Sequence, residues 1–108
     1  LIEGQIEGGF AMGMGWAIYE DLDLKQGRIG SDNFSKYILP TAMDMPQIKS
    51  IIIEAPESTG PYGAKGIGEP VMLGAMPAIL NGIKDATGVR IRKLPASPEQ
   101  ILQGLKKI

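Results

Sequence analysis

Neither cysteine nor histidine occurs anywhere in these 108 residues. That removes disulfides, the usual ligand sets of zinc and iron–sulfur sites, and any Cys–His or Ser–His mechanism. Carboxylate chemistry is what remains. The chain also lacks an excess of charge: 11 basic and 12 acidic residues are interspersed for a net of −1, so no basic patch offers itself to nucleic acid and no polybasic segment to a membrane surface. Long apolar runs are missing too. The one near the N-terminus is interrupted by Glu3, Gln5 and Glu7, which excludes a membrane span there. There is no initiator methionine and no signal-like stretch; we expect a piece of something larger, and a cytoplasmic one, with which the absence of cysteine is compatible.

What the chain has instead is glycine, 15 residues of it. Residues 3 to 19 place Ile6, Phe10, Met14, Trp16 and Ala17 at roughly helical spacing, yet Gly4, Gly8, Gly9, Gly13 and Gly15 interrupt them. Each interior glycine costs up to about 1 kcal/mol against alanine. Such a helix has to be held from outside, by another backbone pressed against it or by a flat ligand, and the spacing alone does not choose. Asp21 to Gly30 reads as a short β-hairpin turning at Gln26-Gly27. Ser31 to Pro46 reads as a surface connection pinned by Tyr37, Ile38 and Leu39.

Ile48 to Ala55, with Ile51-Ile52-Ile53 at its centre, carries the strongest strand pattern. A run apolar on both faces should be buried on both. It leads into Ser58-Thr-Gly-Pro-Tyr-Gly-Ala-Lys-Gly-Ile-Gly-Glu-Pro70, where four glycines allow backbone to approach a ligand and Glu69 is the only carboxylate among them. The loop is neither a P-loop nor a dinucleotide fingerprint; on its residues alone it is a ligand loop with one acid or a plain connector. Beyond it, Val71 to Leu73 makes one helical turn, a second helix starts at Pro77 and stops at Gly88, Val89 to Lys93 suggests a strand, and Ser97-Pro98 opens a last helix through Leu105. The fold class expected is α+β, a small mixed β-sheet with packed helices, in a single domain covering 1–108.

Ala64-Lys65-Gly66-Ile67-Gly68-Glu69-Pro70 resembles the Lys-Gly-x-Gly-Glu-Pro signature near the carboxyl end of the molybdenum-binding subunit of the xanthine dehydrogenase and aldehyde oxidoreductase family. Gly4-Gln5-Ile6-Glu7-Gly8, running on to Gly13-Met14-Gly15-Trp16, is similar to that family's Gly-Gln-x-Glu-Gly helix, and Ala86 to Glu99 resembles its closing segment. The resemblance implies the C-terminal part of a molybdopterin-cofactor-binding domain. It implies a hydroxylase that adds water-derived oxygen to an electron-poor carbon of a heterocycle or aldehyde, with Glu69 as general base. Gln5, Gly63, Ala64, Lys65, Gly66, Ile67 and Gly68 are the implied contacts to a molybdenum-pterin cofactor, in its dinucleotide form; Lys65 reads equally as a solvated loop cation. No residue is assigned as a metal ligand. The implied partners are the remainder of the large subunit, [2Fe-2S] and FAD domains or subunits, and a small-molecule substrate. A domain that keeps the fold without the chemistry is the alternative.

Overall fold

The computed structural model describes residues 1–107, and its centre is a contact between two helices that have almost no side chain where they touch. The first, α1, spans Ile2–Ile18 and the second, α2, spans Met72–Thr87. A Cβ added at Gly13 would lie 2.6 Å from the Ala75 Cβ and 2.8 Å from the Met72 carbonyl oxygen, and one added at Gly9 would lie 2.7 Å from the Val71 Cβ. The glycines therefore let the backbones approach to a distance that alanine forbids. Gly13, Met14, Ala17 and Ala75 are buried there, with Ile91 and Ala96 adding to the same small core.

α2 is continuous through Gly74 and Pro77, which corrects the expected division into a turn and a separate helix. Proline withholds one helical hydrogen bond, from the Leu73 carbonyl. Leu73 is exposed, so water can take the donor's place. Gly88, in the left-handed conformation with φ 76°, ends α2 by donating its N–H to the Lys84 carbonyl. The last helix, α3, spans Pro98–Gly104, and its N-cap Ser97 accepts from the Gln100 N–H at 3.3 Å. Between them residues 89–93 form no strand. Ile91 is buried, and the Ala96 N–H donates to the Ala17 carbonyl at 2.7 Å, tying this segment to the end of α1.

The α+β class holds, with a sheet smaller than expected. It is an antiparallel hairpin of β1 (Leu24–Lys25) and β2 (Arg28–Ile29), paired Leu24 to Ile29 and Lys25 to Arg28. Gln26 and Gly27 both have positive φ, the requirement of the tight turn that fits strand twist. The buried Ser31 hydroxyl accepts from the Asp23 N–H and closes the hairpin's base.

The expected strand at 48–55 is absent: residues 45–57 run without turn, bend or ladder. A strand needs a partner backbone, and none lies beside this segment among the described residues. The 31–46 connection is pinned by polar groups and not by Ile38 and Leu39, which are exposed. Tyr37 donates its hydroxyl to Glu20, whose carboxylate beside it raises the tyrosine's pKa, and Tyr19 reaches Asp44 at 3.4 Å. Asp44 in turn accepts from the Thr41 N–H and hydroxyl at 2.7 Å each.

Candidate functional site

The loop that precedes α2 is built in two halves. In the first, Gly63 N–H donates to the Gly60 carbonyl at 3.1 Å, Ala64 N–H to the Pro61 carbonyl at 3.0 Å, and Glu57 N–H to the Gly63 carbonyl at 3.1 Å. The Glu57 carboxylate accepts from the N–H and hydroxyl of Thr59, which hold its pKa below the ordinary range. Gly63 has φ +74°, and a Cβ at Gly60 would sit 2.5 Å from the Ala64 carbonyl oxygen, so turn geometry accounts for both of these glycines.

In the second half, nothing lies within 4 Å of a Cβ built at Gly66 or Gly68. No contact among the described residues asks for glycine there, though Gly68 itself, at φ −56° and ψ −111°, lies outside the ordinary α and β regions. The backbone then enters a 3-10 turn at Glu69–Val71, with Pro70 in its first positions and the Met72 N–H closing it onto the carbonyls of Glu69 and Pro70. Val71 rests on Gly9. The acid is thereby held against the flank of α1.

On that flank Gln5, Gly8, Gly9 and Met12 follow one another at i, i+3, i+4 and i+7, and with Gly68 and Glu69 they line one cavity of about 290 Å³. Two sequence motifs 63 residues apart, centred on Gln5 and Gly68, thus meet at one surface. Gly63, Lys65, Gly66 and Ile67 line a different cavity of about 420 Å³, together with Ile2 and the stretch Ile52 to Pro56. Ala64 lines neither. Met12, which the sequence motifs do not mark, joins the lining because it stands at i+7 from Gln5 on the same helix face.

The Gln5/Glu69 cavity pairs two polar side chains with bare glycine backbone. Gly8 and Gly68 leave open space where any side chain would project, and the Gln5 amide offers both donors and an acceptor. Among the described residues no three acidic groups come together to hold a metal ion. No described helix is long and apolar enough to cross a membrane.

Residues 1–46 match the molybdopterin cofactor-binding domain family. The chain belongs to the molybdenum-binding subunits of the xanthine dehydrogenase and aldehyde oxidoreductase family. It is 41% identical over 105 residues to the xanthine dehydrogenase molybdenum-binding subunit of Escherichia coli O157:H7, matching 95% of this chain and 14% of that one. It is 39% identical over 111 residues to the aldehyde oxidoreductase of Megalodesulfovibrio gigas, matching 96% of this chain and 11% of that one. The crystal structure of quinoline 2-oxidoreductase from Pseudomonas putida 86 superposes with a TM-score of 0.86 at 31% identity, covering 98% of this chain and 14% of that chain. The chain therefore spans about one seventh of the length of such relatives.

Proposed function

We propose that this chain is the carboxyl-terminal part of a molybdenum hydroxylase's large subunit and supplies one wall of its catalytic centre. The observation that carries the reading is the shared cavity of Gln5 and Glu69 over the glycine backbone of residues 8, 9 and 68. The bound molybdenum-pterin group, in its dinucleotide form on this reading, supplies the two-electron redox chemistry of the reaction. Gln5 would orient it by hydrogen bonding an edge of the ring system, and Gly8 and Gly68, which leave open space where a side chain would project, would admit its flat face. Gly63, Lys65, Gly66 and Ile67 line the other cavity and would hold a further part of the group, Lys65 by its charge; Ala64 would contribute only backbone.

Glu69 acts as the general base. Its carboxylate stands exposed at the rim and takes up the proton released when water-derived oxygen is added to an electron-poor carbon of a heterocycle or aldehyde. The missing wall comes from the remainder of the subunit, and [2Fe-2S] and FAD domains or subunits carry the electrons onward; the compartment is the cytoplasm.

The test is made on the complete subunit carrying Glu69→Gln, which keeps size and hydrogen-bonding capacity but removes the basic oxygen. Molybdenum and pterin content should match wild type, while the single-turnover rate of metal-centre reduction falls by about 10²–10⁴-fold. Full metal content with a rate within about threefold of wild type, far below the range of a lost general base, would place the base elsewhere.

A further inference from the structure

Ile51, Ile52 and Ile53 are 74%, 49% and 83% exposed. Successive residues of an extended chain point to opposite sides, so three in a row leave both sides bare. The backbone is equally unpartnered: from Ile48 to Ala55 no N–H or C=O takes part in a backbone hydrogen bond among the described residues. β-Branched residues in this number suit a strand packed on both faces and have no use in a solvated connector. The ends are marked by Pro46 and Pro56, where a ladder loses a donor. Only Lys49 and Glu54 carry charge between them, one near each end.

The whole molecule shows the same shortage of cover. Its surface of 8449 Å² compares with about 5,800 Å² for a folded monomer of this mass. Its radius of gyration of 17.2 Å compares with about 13 Å for a closed domain of this length. The excess area, roughly 2,600 Å² on this side alone, is the scale of one face of a large obligate interface, whose usual measure counts both partners. The same architecture occurs in a solved chain of which it forms only 14%, so cover from the same polypeptide is available there.

Resting on the reading of this chain as part of a large subunit, we propose that residues 48–55 are an inner β-strand of a sheet whose neighbouring strands come from the rest of that subunit. Both edges are paired and both faces covered there. The occupant is an extended apolar segment on each side, recognised through backbone groups, with an acid facing Lys49 and a base facing Glu54 at the two ends. The pairing also has a positional effect. Ile52 and Ile53 line the cavity of Gly63, Lys65 and Gly66, and Pro56 packs under Gly63, so docking the strand fixes the wall from which the glycine loop departs.

Hydrogen–deuterium exchange on the complete subunit, both metal-loaded and metal-free, tests this. The amides of residues 49–55 should be protected by at least about 10³-fold over an unstructured peptide in both forms, the low end of what a stable core gives. Protection below about tenfold, with the amides of residues 78–83 still slow to exchange, would overturn it. So would protection that disappears on dilution, which would assign the edge to a second copy, or protection present only in the loaded form, which would assign it to the ligand. Molybdenum content and turnover read on the same sample keep the two proposals apart. A protected strand without molybdenum or turnover breaks the functional reading alone, and an active loaded subunit with exchanging 49–55 amides breaks this one alone.

Discussion

α1 carries two glycine pairs at the same i, i+4 spacing, and they do opposite things. Gly9 and Gly13 face α2 and the turn before it, where an added Cβ would collide with Val71, Ala75 and the Met72 carbonyl; Gly4 and Gly8 face nothing within 4 Å among the described residues. The residues alone left close packing and a flat ligand as rivals for this helix. The inner pair answers to packing, and on our reading the outer side answers to the ligand. One residue type at one spacing can serve both because glycine removes bulk without specifying what fills the gap.

The sharpest separation of the two sides comes from Glu69→Gln. It should lower the reductive rate by about 10²–10⁴-fold, or roughly 3–5 kcal/mol of transition-state stabilisation, and leave the melting temperature alone. A large drop in Tm would make Glu69 a structural residue and blur the distinction.

Gly13→Ala is the inner counterpart. Forcing a methyl against a backbone carbonyl and the Ala75 methyl should destabilise the complete subunit by about 1–3 kcal/mol, less the small propensity gain of alanine. Calorimetry reads it, and an unchanged or higher Tm would break the contrast. At the outer pair, Gly4→Ala and Gly8→Ala should each add about 0.5–1 kcal/mol of helix stability. Gly8→Ala, which alone of the two lines the Gln5/Glu69 cavity, should also lose pterin content; full content after that change would leave the outer glycines without a role.

The smallest effect is a control at the far end of the helix. Thr41's N–H, then its hydroxyl, hold the Asp44 carboxyl below its ordinary range. A depressed pKa stabilises the fold above the unfolded carboxylate value of about 4, and that contribution is lost as pH falls through the folded value. Asp44→Asn should therefore flatten a shallow acid limb of Tm against pH and leave both glycine pairs' effects untouched.

Local chemistry was legible where it is self-contained. Ser97-Pro98 opened a helix, Gly88 closed one, and Gln26-Gly27 turned a hairpin, because each needs only its immediate neighbours. Pro77 suits the first turn of a new helix, which is why the sequence suggests a break before it, yet α2 runs through it at the loss of one hydrogen bond. The isoleucine run was read correctly as apolar on both faces and wrongly as buried, because burial requires a partner that these 107 described residues do not contain. The meeting of Gln5 with Glu69 was never in either local pattern. It depends on α1 and α2 approaching through Gly9 and Gly13, a tertiary fact that the resemblance supplied and the residue spacing did not.

Val71 sits two residues after Glu69 and bears directly on Gly9, which itself lines the cavity. The helix surface thus works as a gauge stop: the stiff, β-branched Val71 side chain bears on bare backbone at Gly9 and sets the depth at which the Glu69 backbone stands. Misplacement by about 1 Å can cost a factor of about 10² in rate. A methyl at position 9 would act as a shim, lifting the acid by a fraction of that distance without altering any group that reacts.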